Sequence, residues 1–121
     1  MEDVNKINSF RDLIIWQKGL DITQEVYLLT KKLPKEELFS LSSQLRRAAI
    51  SVPSNIAEGK ERSTKKDFCQ FLHIALGSLA ELETQLLLVG RLYPSIEVEK
   101  VISLIHEEQR MVYSMMTKLK I

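Results

Sequence analysis

Apolar residues recur every three to four positions through most of this chain, which is the spacing of amphipathic α-helices. Pro34, Gly59 and Pro94 stand where the rhythm breaks. The pattern predicts four helices, over about residues 11–33, 36–59, 64–92 and 95–120. No window alternates with a period of two, so no strand is predicted. Four helices with short connections predict an all-α, antiparallel up-down-up-down bundle, which we expect to form a single domain over residues 1–121.

Each predicted helix has an apolar stripe that we expect to face the core. The stripe of the first helix comprises Leu13, Trp16, Leu20, Thr23, Tyr27 and Thr30, widened by Ile22, Val26, Leu29 and Leu33. The stripe of the fourth comprises Val98, Ile102, Ile105, Gln109, Val112, Met116 and Leu119. In the second helix the stripe keeps its phase across Pro53, from Leu41 to Gly59, which predicts one kinked helix rather than two.

Apolar residues also occur away from these stripes, on three successive helices. They are Ile50, Pro53, Ala57, Ile74, Leu88, Leu104, Met111 and Met115. Scattered apolar residues are normal on protein surfaces, but a contiguous patch usually marks a contact surface. We interpret these eight residues as a candidate oligomer interface, because symmetric homo-oligomers commonly bury such a face.

A line of polar residues runs along one edge of the second helix at spacings of three and four. It comprises Gln44, Arg47, Ser51, Asn55 and Glu58, and Glu83 of the third helix lies at the rim of its core stripe. We favour a hydrogen-bonded network that fixes helix register. The alternative is a polar pocket near Asn55, Glu58 and Arg62.

The 121 residues carry a formal net charge of only +1, with 45% hydrophobic and 27% charged residues. Positive charge is concentrated in residues 31–66, where nine Lys or Arg stand against four acids. A local excess of this kind is typical of a solvated helix end and loop.

The sequence contains none of the familiar catalytic constellations. Cys69 is the single cysteine, which excludes an internal disulfide. Cys69 and His73 share the spacing of two ligands on one helix face, but no third ligand accompanies them. The Glu-x-x-His motifs of a di-iron bundle are absent. We therefore predict no enzymatic activity, no cofactor and no metal.

The amino-terminal residues are polar, and the longest charge-free run, residues 68–80, is too short to cross a bilayer. We expect no signal peptide and no membrane association, and hence a cytoplasmic protein.

Three segments resemble the four-helix-bundle family of 23S rRNA-intervening-sequence proteins of bacteria. They are FRDLIIWQKGLDI, QLRRAAISVPSNIAEG followed by Arg62, and FCQFLHIALGSLAELETQLLL. The resemblance implies an antiparallel four-helix bundle and a homopentameric ring around a central channel. Gly19 stands where the family usually has Ala, which predicts a small loss of helix stability.

Members of this family are named for reading frames within insertions of rRNA genes, and a related group serves diversity-generating retroelements by binding nucleic acid and reverse transcriptase. The resemblance therefore implies binding of RNA or DNA through backbone phosphates. The candidate contacts are Arg46, Arg47, Lys60, Arg62, Lys65 and Lys66. Those accessory proteins are strongly basic, whereas this chain is nearly neutral. The alternative function is a protein-interaction scaffold without nucleic acid.

Overall fold

The computed structural model describes residues 9–119, which form four α-helices. They are α1 (Ile14–Thr30), α2 (Leu41–Lys60), α3 (Lys65–Leu92) and α4 (Glu99–Leu119). Two short 3₁₀ turns, Phe10–Asp12 and Lys35–Glu37, precede α1 and α2. No strand occurs within this part of the chain. The prediction of an all-α four-helix fold is confirmed.

Contacts between neighbouring helices show that the bundle is antiparallel. Gly19 and Thr23 of α1 lie against Pro53 and Ala49 of α2, in reversed order. The ion pairs that join α1 to α4 are also reversed, because they link Lys18 to Glu107 and Glu25 to Lys100. Packing joins α1 to α2, α2 to α3, α3 to α4, and α4 back to α1.

The starts of α2 and α4 differ from prediction, because other turns take the place of the first predicted helical turn. The predicted first turn of the second helix lies in the 3₁₀ segment, so α2 begins five residues later, at Leu41. α4 begins at Glu99 rather than residue 95, and the Glu97 carboxylate accepts a hydrogen bond from the Lys100 amide at 3.1 Å. The prediction for α3 is close, because the Thr64 side chain accepts from the Asp67 amide at 3.1 Å. The predicted end at residue 120 lies outside the described residues.

The core confirms five of the seven positions predicted for the fourth helix, namely Val98, Ile102, Ile105, Val112 and Leu119, but it corrects the centres of the α1 and α4 stripes. In α1 the buried positions are Ile15, Gly19, Ile22, Val26, Leu29 and Thr30, whereas Leu20 is exposed. In α4 the buried positions are Val101, Ile102, Ile105, Glu108, Val112, Met115 and Leu119. Gln109 and Met116 are only partly buried. Both helices are therefore rotated about their axes relative to the prediction.

Pro53 lies within α2, which is a single helix as predicted. A proline leaves the carbonyl four residues earlier without its helical donor. Here that carbonyl belongs to Ala49, and it lies 3.1 Å from Thr23 Oγ1 of α1, whose single hydrogen is shared with the Gly19 carbonyl at 2.9 Å. Gly19 faces the proline ring, since a β-carbon at Gly19 would lie 3.2 Å from Pro53 Cβ. Gly19 therefore matters for the packing of α1 against α2. The expectation that it affects only the stability of its own helix is wrong.

Within the described residues, α3 is the one helix long and apolar enough to cross a membrane by length and composition. Core helices of soluble proteins commonly share these properties. In the bundle, eight side chains of α3 are buried against the other helices.

Candidate functional site

The six basic residues proposed as phosphate contacts lie in two separate places. Arg46 and Arg47 belong to the first two turns of α2, whereas Lys60 ends that helix. Fourteen residues of helix separate Arg46 from Lys60, which corresponds to about 21 Å along the axis. We call Lys60, Arg62, Lys65 and Lys66 the basic corner, because they surround the connection between α2 and α3.

The basic corner is an exposed surface at one end of the bundle. The Arg62 guanidinium donates to the Glu58 carboxylate at 2.9 Å and lies 4.9 Å from the centre of the Phe71 ring. Lys65 and Lys66 are exposed and form no salt bridge within residues 9–119. Their charges are therefore available to a solution anion.

Close packing of α2 on α3 fixes the position of this corner. A β-carbon at Gly59 would lie 2.6 Å from Phe71 Cβ, so the two helices approach at a distance that only glycine permits. α2 ends at Lys60, and four residues then lead into α3 at Lys65. Lys60 and Lys65 therefore lie at the same end of the bundle.

The two arginines at the start of α2 have different surroundings. Arg46 Nε donates to Thr30 Oγ1 at 3.0 Å, and its guanidinium lies 4.6 Å from the centre of the Tyr27 ring. Arg46 therefore ties α2 to α1. The side chain of Arg47 is exposed and forms no hydrogen bond within the described residues.

The predicted polar network divides into separate parts. Ser51 and Asn55 do meet, since Asn55 Nδ2 donates to the Ser51 carbonyl at 2.8 Å. The Ser51 hydroxyl lies 2.8 Å from that of Ser78, a residue of α3 that the sequence analysis missed. Gln44 and Arg47 are exposed and stand apart from this group.

Glu58 and Glu83 belong to other interactions. Glu58 pairs with Arg62 at the basic corner. Glu83 accepts from His106 Nε2 at 2.9 Å and from Gln109 Nε2 at 3.4 Å, which joins α3 to α4. The hydrogen bond from His106 lowers the pKa of Glu83. Register is thus fixed by several local contacts, in which Asn55 bonds to Ser51 whereas Glu58 pairs with Arg62.

The predicted oligomer interface also changes in the structure. Ile50, Ile74 and Leu88 are between 44% and 50% exposed. Ala57, Leu104 and Met111 are partly buried. Two predicted residues are not on a free face, because Pro53 is buried beside Gly19 and Met115 is only 4% exposed in the core. The rotation of α4 turns Met115 inward.

An apolar groove lies between α1 and α2. Its volume is about 280 Å³. It is lined by Trp16, Leu20, Thr23, Ile50, Pro53, Ser54 and Ala57. Three of these residues belong to the predicted interface, and Leu20 extends the same surface onto α1. We refer to this surface as the α1–α2 groove.

The sequence analysis missed Glu108, which lies in the core with no exposed surface. Neither carboxyl oxygen has a hydrogen-bond partner among the described residues. Burial raises the pKa of this carboxyl to about 8. A neighbouring ion pair, Lys18 with Glu107 at 2.6 Å, lies at the α1–α4 boundary. No signal in the sequence singles out Glu108, because Glu107, Gln109 and Arg110 surround it.

Cys69 and His73, the two residues considered for catalysis, do not join a catalytic group within the described residues. Cys69 is buried and His73 is exposed, although they are one helical turn apart. In residues 9–119, no three side chains of His, Cys, Asp or Glu form a group that could hold a metal ion.

Comparison with known proteins places this geometry in a family. A solved structure of a protein of unknown function, from the S23 ribosomal protein family of Bacteroides thetaiotaomicron, has a TM-score of 0.78 and 26% sequence identity to this chain. The match covers 86% of this chain and 96% of that one. A comparison with curated proteins gives no match. The family model for the 23S rRNA-intervening sequence protein matches residues 11–114. The chain therefore belongs to the 23S rRNA-intervening sequence protein family.

Proposed function

We propose that this protein is a non-enzymatic homo-oligomer, with a pentameric ring as the favoured form, that binds RNA or DNA through backbone phosphates in the cytoplasm. The observation that carries the proposal is the basic corner, where Lys65 and Lys66 lack acidic partners within the described residues. Lysines of this kind attract phosphates through release of counterions, which requires no base-specific contact.

Oligomer formation supports this function, because a single chain has a net charge of only +1. A ring repeats the basic corner once per copy, so that several weak contacts act on one strand. The α1–α2 groove is the surface that we assign to the contact between copies. It is apolar, it includes the exposed Ile50, and it lies between the two sets of basic residues on α2.

Salt titration of binding tests the proposal directly. The measurement is fluorescence anisotropy of a labelled single-stranded RNA or DNA over a series of salt concentrations. Replacing Lys65 and Lys66 by Gln removes two contacts per copy, so the slope of log K against log salt decreases by about 1.4 for each copy that contacts a single strand.

A matched control removes the same charge elsewhere. Arg91→Gln with Arg110→Gln deletes two exposed cations, of α3 and α4, that form no salt bridge within residues 9–119. We expect this control to keep the slope of the unaltered protein. Absence of binding at low salt to both RNA and DNA would overturn the proposal, as would equal slopes for the two double variants.

The second candidate function is a protein-interaction scaffold. It is favoured by exposed apolar residues near the end of α3, namely Leu87, Leu88 and Leu92. A scaffold predicts that no nucleic acid is retained. It also predicts that a protein partner copurifies with the unaltered chain and is lost from a Leu88→Glu, Leu92→Glu variant.

A further inference from the structure

Phe39 is the most exposed large apolar side chain in the described part of the protein, at 92%. It precedes α2 directly, and its neighbour Leu38 is 47% exposed. Phe10 and Phe71 are partly buried and Phe68 is buried. The Phe39 ring therefore contributes almost nothing to the stability of the bundle. Its exposure points to a ligand that contacts the ring.

The segment that carries Phe39 is held in place by the Glu37 carboxylate. Glu37 accepts hydrogen bonds from the Tyr93 hydroxyl at 2.5 Å and from Ser40 Oγ at 2.7 Å. These bonds lower the pKa of Glu37, and Glu37 raises the pKa of Tyr93 to about 12. The turn is thereby fixed to the end of α3, and Phe39 is presented to solvent from an anchored segment.

The segment of sequence around Phe39 is basic. Residues 31–47 contain five cationic and two acidic side chains, a net charge of +3. The cations are Lys31, Lys32, Lys35, Arg46 and Arg47. One of the two acids, Glu37, is engaged with Tyr93, and Arg46 is engaged with α1. An exposed ring in a segment with net positive charge is complementary to a ligand that combines flat apolar faces with negative charge.

We propose that residues 35–47 form a site for single-stranded nucleic acid, in which the Phe39 ring stacks on an unpaired base while Lys35 and Arg47 contact the flanking phosphates. This inference rests on the proposed function and narrows it. Stacking on an aromatic ring needs a base whose face is free, so a duplex cannot use this site except at its ends. The competing occupant is a protein partner with an apolar pocket. The cations of this segment would contribute less to binding such a partner than to binding phosphates.

The test compares Phe39→Ala with two reference variants. Phe39→Trp keeps a stacking surface, and Tyr113→Ala removes another exposed aromatic side chain, on α4. Anisotropy is measured with a labelled single-stranded RNA, with a duplex of the same length, and with a single strand that lacks bases. Thermal melts followed by circular dichroism check that all variants are folded.

We expect Phe39→Ala to weaken binding of the single strand by about fivefold or more, which is the contribution of stacking one base on an aromatic ring. Binding of the duplex and of the strand without bases should be unchanged. The Phe39→Trp variant should retain affinity, and its fluorescence should be quenched by the single strand beyond the signal from Trp16. The Tyr113→Ala variant should bind as the unaltered protein does.

Unchanged affinity of Phe39→Ala for the single strand would overturn this inference. Equal affinity of the unaltered protein for strands with and without bases would also overturn it. In both cases salt-dependent binding at the basic corner could persist, so the proposed function would stand. Failure of the unaltered protein to bind any of the three probes at low salt would remove both.

Discussion

At the scale of single residues, Glu108 is the most unusual group in the protein. Its carboxyl is fully buried, and no hydrogen bond compensates for the lost solvation among the described residues. The charged groups that act on it are Lys18 and Asp21 of α1 and Glu107 of its own helix. Burial outweighs the attraction of Lys18, which is paired with Glu107, so the pKa of the Glu108 carboxyl rises to about 8.

This raised pKa predicts the pH dependence of stability. Below about pH 4.5 the carboxyl is protonated in both the folded and the unfolded chain. At higher pH the unfolded chain ionises while the folded chain stays neutral, so stability falls until about pH 8. Urea unfolding should show that Glu108→Gln removes this fall and stabilises the protein above neutral pH, on the order of a few kcal/mol. Identical pH profiles for the variant and the unaltered protein would contradict the prediction.

Two glycines in helices provide a matched pair of predictions. A β-carbon at Gly59 would lie 2.6 Å from Phe71 Cβ, whereas one at Gly77 would meet nothing within 4 Å. Gly59→Ala should therefore destabilise the fold by about 1–3 kcal/mol, because α2 and α3 must separate. Gly77→Ala should stabilise it by roughly 0.5–1 kcal/mol through helix propensity. Denaturant midpoints measure both changes, and a stabilising Gly59→Ala would refute the close approach.

At the scale of elements, α2 is the helix on which the bundle depends most. It contains Pro53, whose missing amide would leave the Ala49 carbonyl without a donor. Thr23 supplies that donor from α1, and Gly19 makes room for the proline ring. Residues of α1 therefore compensate for the irregularity that Pro53 introduces into α2.

A double-mutant cycle tests this compensation. Thr23→Val removes the hydrogen bond to Ala49 and should destabilise the protein by about 1 kcal/mol. In a Pro53→Ala background the amide of residue 53 can bond to the same carbonyl, so the effect of Thr23→Val should shrink. Free energies of unfolding of the four proteins give the coupling. Additive effects of the two substitutions on the free energy of unfolding would show that the Thr23 hydroxyl does not replace the donor that Pro53 lacks.

The number and order of the helices could be predicted from the sequence, because each helix has a long apolar stripe. The errors arise where a stripe has more than one plausible centre. α4 carries both Met115 and Met116, and only packing decides that Met115 faces inward. Glu36 and Glu37 have the composition of a helical first turn, but Glu37 is drawn into hydrogen bonds with Tyr93 and Ser40.

The candidate site was predictable only in part. Positive charge in residues 31–66 is visible in the sequence, but its division into two places follows from the length of α2. Partners on other helices, such as Thr30 for Arg46 and Ser78 for Ser51, have no local signal. The exposure of Phe39 is equally hidden, because aromatic residues between helices are more often buried.

At the scale of the whole molecule, the α1–α2 groove should hold copies together. Ile50→Glu places a charge in the groove and should lower the molar mass measured by light scattering to that of one chain. Tyr113→Glu introduces the same charge at an exposed position of α4 and should leave the mass unchanged. A variant Ile50→Glu that retains the assembly would show that copies meet through another surface.

Sedimentation velocity of a labelled single-stranded RNA mixed with the unaltered protein at low salt shows whether the assembled protein holds nucleic acid. We expect the RNA to sediment with several copies of the chain and to be released as salt is raised, because assembled basic corners hold its phosphates. RNA that sediments alone at low salt, or with a single copy, would contradict this expectation.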